Sequence, residues 1–153
     1  MRIGIVGFGF MGRMHFGYWS QVPATEVVAV CDANPNIAQT FDEKIGNMPG
    51  LSSDYNFSQV KFFSNVDVML AESDLDAVSI TVPSWLHADI TCKALQADVD
   101  VLCEKPMALN TNQCRYMIDV AEQTERKLMI GHCIRFWPEY AHARNIIQEG
   151  KYG

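Results

Sequence analysis

The chain lacks a C-x-x-C pair, an even cysteine count, a long apolar run and an excess of positive charge, and each absence removes a class of function. Its five cysteines (Cys31, Cys92, Cys103, Cys114 and Cys133) have neither zinc-ribbon spacing nor the pairing a disulfide framework needs. Most of them sit inside apolar segments, where cysteine behaves as a small hydrophobe, so reduced thiols in a cytoplasmic protein are expected. No apolar stretch approaches the roughly 20 residues of a membrane span. Met1 and Arg2 run directly into Ile3, Gly4, Ile5 and Val6 without the layout of a secretory leader. With 12 basic against 18 acidic residues the net charge is -6, which argues against nucleic acid or an anionic membrane as partner. No repeat, low-complexity tract or linker divides the 153 residues, so a single domain is expected.

Short apolar runs do recur, and they alternate with segments of helical period. Strands are predicted at residues 2–6, 26–31, 60–63, 77–82, 99–103 and 128–130. Helices are predicted at residues 11–21, from 34 or 35 to about 45, and at 65–71, 84–97, 111–124 and 138–148. Residues 47–59 read as loop. Ser84 is a candidate N-cap for one helix, and Asn110 or Thr111 for another. Every crossover is long enough for a parallel connection, so the expected fold is α/β: a Rossmann-type, doubly wound parallel sheet of about six strands with helices on both faces.

The first strand ends in Gly7, Phe8, Gly9, Phe10, Met11 and Gly12, a G-x-G-x-x-G that opens a helix. Glycine loops are common, but one placed between a strand and a helix has the context that dinucleotide binding demands. Gly7 serves the tight turn, Gly9 the close approach of a pyrophosphate, and Gly12 the packing of helix on strand. A glycine turn serving packing alone is the competing reading. Asp32 stands 20 residues after Gly12, at the end of the second strand, where an acid accepts the hydroxyls of the adenosine ribose. Its charge repels a 2′-phosphate, and Ala33, Asn34 and Pro35 offer no cation to receive one. NAD is therefore favoured over NADP, with a turn or capping role as the alternative for Asp32. The loop after the fourth strand (Thr81, Val82, Pro83 and Ser84) should face the glycine loop. His87, just beyond it, either reaches the cofactor crevice or is a surface or structurally satisfied histidine.

Glu104, Lys105 and Pro106 follow the fifth strand, again at the ligand-bearing edge. Proline 106 holds Lys105 extended, which aims its side chain. A partly desolvated lysine beside a cationic ring is suited to exchanging protons with a hydroxyl or carbonyl during hydride transfer, with Glu104 helping to position the substrate, the cofactor or the lysine. A solvated lysine in a plain loop is the alternative.

On these segments the whole chain resembles the N-terminal half of the Gfo/Idh/MocA oxidoreductases, the glucose–fructose oxidoreductase and inositol dehydrogenase family. The matching parts are residues 3–12, 28–32, 76–83 with His87, 101–108, and 131–140 with Arg135, Phe136 and Pro138. The Glu-Lys-Pro segment, at its distance from the glycine loop, is the most specific. The resemblance implies that Phe8, Gly9, Phe10 and Met11 cradle the pyrophosphate and that Asp32 binds ribose. It further implies that Thr81, Val82, Pro83 and His87 line the nicotinamide side, and that Glu104 and Lys105 form the active-site pair. Arg135 falls near the cofactor or substrate cleft, and Pro106 is a candidate for a cis bond.

The implied activity is NAD(P)-dependent oxidoreduction at a hydroxyl or carbonyl of a sugar, polyol or related small molecule, often in a homo-oligomer. A stand-alone NAD-binding or sensing module is the rival. A methyltransferase is disfavoured, having no use for the Lys-Pro turn. Two departures from the family stand out. Asp98 replaces a helix-ending glycine, and residues 150–153 end about where the family's chain enters a second, substrate-binding domain, absent here. Phe136, Trp137 and Tyr140 then either form an exposed apolar patch or pack under the last helix. No metal ligand set is present in the pattern.

Overall fold

The structure, a computed structural model, describes residues 1–37 and 57–150. Most of the expected helix from residue 34 or 35 to 45 and most of the expected loop at 47–59 lie outside the described residues. Strands β1 (Arg2–Val6), β2 (Glu26–Cys31), β3 (Lys61–Phe63), β4 (Ala77–Ile80), β5 (Asp100–Cys103) and β6 (Leu128–Ile130) form one sheet in the order β3-β2-β1-β4-β5-β6. Every pairing is parallel. The order reverses beside β1, so the expected doubly wound Rossmann sheet is what forms.

Helix α1 (Phe10–Trp19) lies on one face, and α2 (Val66–Glu72), α3 (His87–Gln96) and α4 (Thr111–Thr124) lie on the other. Strand alternation supplies both cores. Ile3 and Ile5 of β1 meet Phe8, Phe16, Val27 and Val30 on the α1 face. Val6, Val78, Ile80, Val101 and Cys103 meet Met69, Leu95 and Met117 on the other face. Each fully buried side chain of this size contributes about 1.5–3 kcal/mol relative to exposure, so the sheet is held from both faces. A register shift between Ile3 and Gly4 lets Val28 and Ala29 share one face.

Local chemistry sets the helix ends. Asn65 Oδ1 accepts the N–H of Asp67 and Val68, and Asn110 Oδ1 accepts that of Gln113, so both asparagines are N-caps. Asp98 takes the left-handed conformation expected of it, at φ 66°. Ser84 does not cap a helix. A single 3₁₀ turn, Ser84–Leu86, precedes α3, and neither start has a side-chain cap. Helix α5 (Pro138–Gln148) begins with its proline in the first turn, as expected, but buries no residue. It follows a 3₁₀ turn, Cys133–Phe136. Phe136, Trp137 and Tyr140 are exposed, not packed under that helix.

Candidate dinucleotide and active site

Parallel register brings the residues that immediately follow the strands into one row. Asp32 N–H donates to Phe63 O, Gly7 N–H to Cys31 O, Thr81 N–H to Val6 O, Glu104 N–H to Ile80 O and Gly131 N–H to Cys103 O. Asp32, Gly7, Thr81, Glu104 and Gly131 are therefore neighbours along the carboxyl edge of β2, β1, β4, β5 and β6. Asp32 and Glu104 are three strand spacings of about 4.8 Å apart, or about 14 Å. An acid lies at one end, a helix N-terminus in the middle, and the Glu-Lys-Pro turn at the other end.

The three glycines have different physical reasons. Gly7 is left-handed at φ 86°, and a Cβ there would lie 2.8 Å from Val82 N. A Cβ on Gly12 would collide with the Gly7 carbonyl oxygen, so α1 approaches the turn only because Gly12 has none. Gly9 has an ordinary backbone (φ −71°, ψ −156°), and a Cβ there would meet nothing within 4 Å. The fold does not require glycine at 9. An open surface over the helix start, which a side chain would fill, is what a closely approaching pyrophosphate requires.

Helix α1 starts there without a side-chain cap and without an acid in its first turn. Among the described residues, no acceptor meets the N–H groups of Phe10, Met11 or Gly12. They and the positive end of the helix dipole are left for an anion. Phe8 differs from its expected place. Its ring is fully buried against Phe16 at 5.8 Å, and its N–H donates to Asp32 Oδ2 at 2.7 Å. Asp32 Oδ1 accepts from Asn34 N–H at 2.8 Å. Asp32 thus ties the glycine loop to the β2 end, while each carboxylate oxygen keeps a lone pair for a hydroxyl.

Thr81 Oγ1 donates to the Gly7 carbonyl at 2.6 Å, which clamps the glycine turn onto the end of β4. Thr81 and Val82 are half-buried and Pro83 is exposed. The predicted strand through 82 stops at Ile80. His87 is 1% exposed, with Nδ1 2.8 Å from Pro106 O and Nε2 2.9 Å from Val82 O. Both ring nitrogens face backbone carbonyls, and even a neutral ring donates to one of them, so of the two readings of His87 this buried placement matches the structural one. It joins the β4 loop to the lysine turn.

The Lys105–Pro106 peptide is cis. Lys105 is exposed and lines a cleft of about 270 Å³ with Gly131, His132, Cys133, Ile134 and Arg135, which brings Arg135 to the lysine. Neither cation forms a salt bridge among the described residues. Glu104 Oε2 accepts the N–H of Lys105 at 3.1 Å, and Oε1 lies 3.1 Å from His15 Nε2. His15 is absent from the sequence-based site. Its partner is 89 residues away, and no spacing rule connects them. Its only local mark is a polar ring on the second turn of the glycine-loop helix.

Two thiols flank the site. Burial, then the charges of Asp32 and Asp67, push Cys31 up to about 11. Burial, then the charge of Glu104, outweighs the opposing influence of the nearby Thr91 hydroxyl and pushes Cys103 up to about 11. Both are protonated at neutral pH and are poor nucleophiles. Among the described residues there is no group of three or more metal-ligating side chains, and no helix is long and apolar enough to cross a membrane.

Comparison with known proteins agrees with this geometry. A family described as an oxidoreductase family with an NAD-binding Rossmann fold matches residues 1–132. The chain is 31% identical over 153 residues to an inositol 2-dehydrogenase of Rhizobium meliloti, covering 100% of this chain and 42% of that one. The structure of a scyllo-inositol dehydrogenase from Lactobacillus casei, with bound cofactor NAD(H) and scyllo-inositol, superposes with a TM-score of 0.83 at 26% identity. That match covers 100% of this chain and 42% of that one. The WlbA dehydrogenase of Bordetella pertussis, in complex with NADH and UDP-GlcNAcA, gives 0.84 at 26% identity, covering 99% and 43%. The chain thus spans about two fifths of these relatives' length.

Proposed function

The chain belongs to the Gfo/Idh/MocA oxidoreductases with an NAD-binding Rossmann fold, and from that premise we propose that it is the cofactor half of a cytoplasmic polyol or sugar dehydrogenase using NAD. The observation that carries this reading is the order of groups along the carboxyl edge. Asp32 is the ribose acid, the N–H groups of Phe10, Met11 and Gly12 hold the pyrophosphate beneath open Gly9, and Lys105 with Glu104 stands at the nicotinamide end. The nicotinamide supplies a hydride acceptor or donor when bound. Lys105 Nζ takes the proton of the substrate hydroxyl as it becomes a carbonyl, and returns it in the reverse direction. Arg135, in the same cleft, orients the substrate or cofactor. Thr81 and His87 hold the glycine and lysine loops and leave Val82 and Pro83 to border the nicotinamide. The substrate's remaining contacts are assigned to a second domain, and assembly to a homo-oligomer.

NAD rather than NADP follows from the charge of Asp32, which opposes a 2′-phosphate with no cation at Ala33, Asn34 or Pro35 to offset it. The test is calorimetric titration of both cofactors. Asp32→Ala should weaken NAD about tenfold or more and narrow the gap between NAD and NADP. Unchanged affinities for both would overturn the assignment. In a protein that carries this chain together with such a second domain, turnover with a panel of polyols and sugars, myo- and scyllo-inositol included, should fall at least a hundredfold in Lys105→Ala with NAD affinity within threefold. Equal loss of both would contradict the lysine's role.

A further inference from the structure

His15 and Glu104 meet across the sheet from elements that nothing in the sequence connects. Both side chains are 13% exposed, far from the solvated surface pairs that contribute little. A carboxylate only accepts, so His15 Nε2 carries the hydrogen in this contact whatever the charge on the ring. The second carboxylate oxygen accepts the backbone N–H of Lys105. Gly131 closes the other side, since a Cβ there would lie 3.3 Å from Glu104 Oε1. One carboxylate is thus held between a ring on the pyrophosphate helix and the amide of the lysine.

We propose that His15 is a positioning residue: by fixing Glu104 it fixes the backbone of Lys105 relative to α1, the helix that receives the cofactor. The inference rests on the reading of Lys105 as the proton-transfer group. Removing the ring leaves Oε1 without its donor, and the carboxylate then gains more by turning to water than by holding a single amide. The Lys105 amide loses its acceptor and the turn loosens. A displacement of about 1 Å at such a group costs about a hundredfold in rate. Glutamine at 15 carries its donor hydrogens at a similar reach and is the conservative replacement.

The experiment is amide hydrogen exchange read by NMR on the full chain, as wild type, His15→Ala and His15→Gln. His15→Ala should speed exchange of the Lys105 amide at least tenfold, with the amides of Val30 and Val78 unchanged, and His15→Gln should return it to within threefold of wild type. Three outcomes overturn the proposal: an unchanged Lys105 amide in His15→Ala, an equal acceleration of the Val30 and Val78 amides, or no recovery in His15→Gln. Lys105→Ala separates the two readings. Full turnover in that variant defeats the lysine's assigned role and does not alter the exchange result, which decides the clamp by itself.

Discussion

At the scale of single residues, the glycines of one loop have separable duties. Gly12 is fixed by the fold, because a Cβ there collides with backbone, while Gly9 faces open space. Gly12→Ala should therefore cost about 1–3 kcal/mol of stability, as overpacking at a close contact does. Gly9→Ala should change stability by less than about 1 kcal/mol, because alanine's poorer N-capping is offset by its smaller unfolded-state entropy. Its effect should appear instead as a tenfold or greater loss of NAD affinity. Urea unfolding and calorimetric titration of the two variants check both statements. A Gly9→Ala protein that binds NAD as wild type does would mean that nothing approaches the helix start closely. Phe8 shows the limit of motif reasoning at this scale. The family resemblance implied that it helps cradle the pyrophosphate, but its ring is committed to the core and its N–H to Asp32.

At the scale of elements, the caps and packing determine which helices are firm. Asn65 and Asn110 each satisfy N–H groups that would otherwise be orphaned. Replacing either with alanine should cost about 1 kcal/mol, read as a shift in the denaturant midpoint. Helix α5 has no comparable support. It buries no residue and lies against the short turn at Cys133–Phe136. Its amides should exchange fastest of the five described helices, while those of β1 and β4, in the middle of the sheet, exchange slowest. Protection in α5 equal to that in α3 would contradict its placement. The aromatic ring pair on this segment, Trp137 and Tyr140 at 6.3 Å, is a contact within the exposed end and not a tie to the body.

For the whole molecule, the pH dependence of stability follows from buried thiols. Cys31 and Cys103 have their ionisation raised from an ordinary value of 9.0 to about 11 in the folded state. The folded chain holds these protons more tightly than the unfolded chain. Their contribution is thus complete below pH 9 and is lost as pH rises from about 9 through about 11. The melting temperature should fall over that window, and Cys103→Ala should make the fall shallower while lowering stability at neutral pH through the cavity it leaves. A melting temperature flat from pH 9 to 11 would show that the thiols are not protected by burial.

The sequence by itself determined the class of fold, because period and run length respond to local physics. Alternating apolar runs select strands, Asn65, Asn110 and Pro138 mark helix starts, and long crossovers allow parallel pairing. It also located most of the carboxyl edge where the candidate site lies, since Gly7, Gly9, Gly12, Asp32, Glu104 and Lys105 each follow a strand end that periodicity locates. Only the tertiary structure decided the partners. His87 sits between the carbonyls of Pro106 and Val82, Thr81 is bound to the glycine turn, and His15 meets Glu104 from 89 residues away. Each of these contacts depends on which strands become neighbours and on the rotation of a helix over the sheet. Both are set by packing across the whole core, and no local window of sequence contains them.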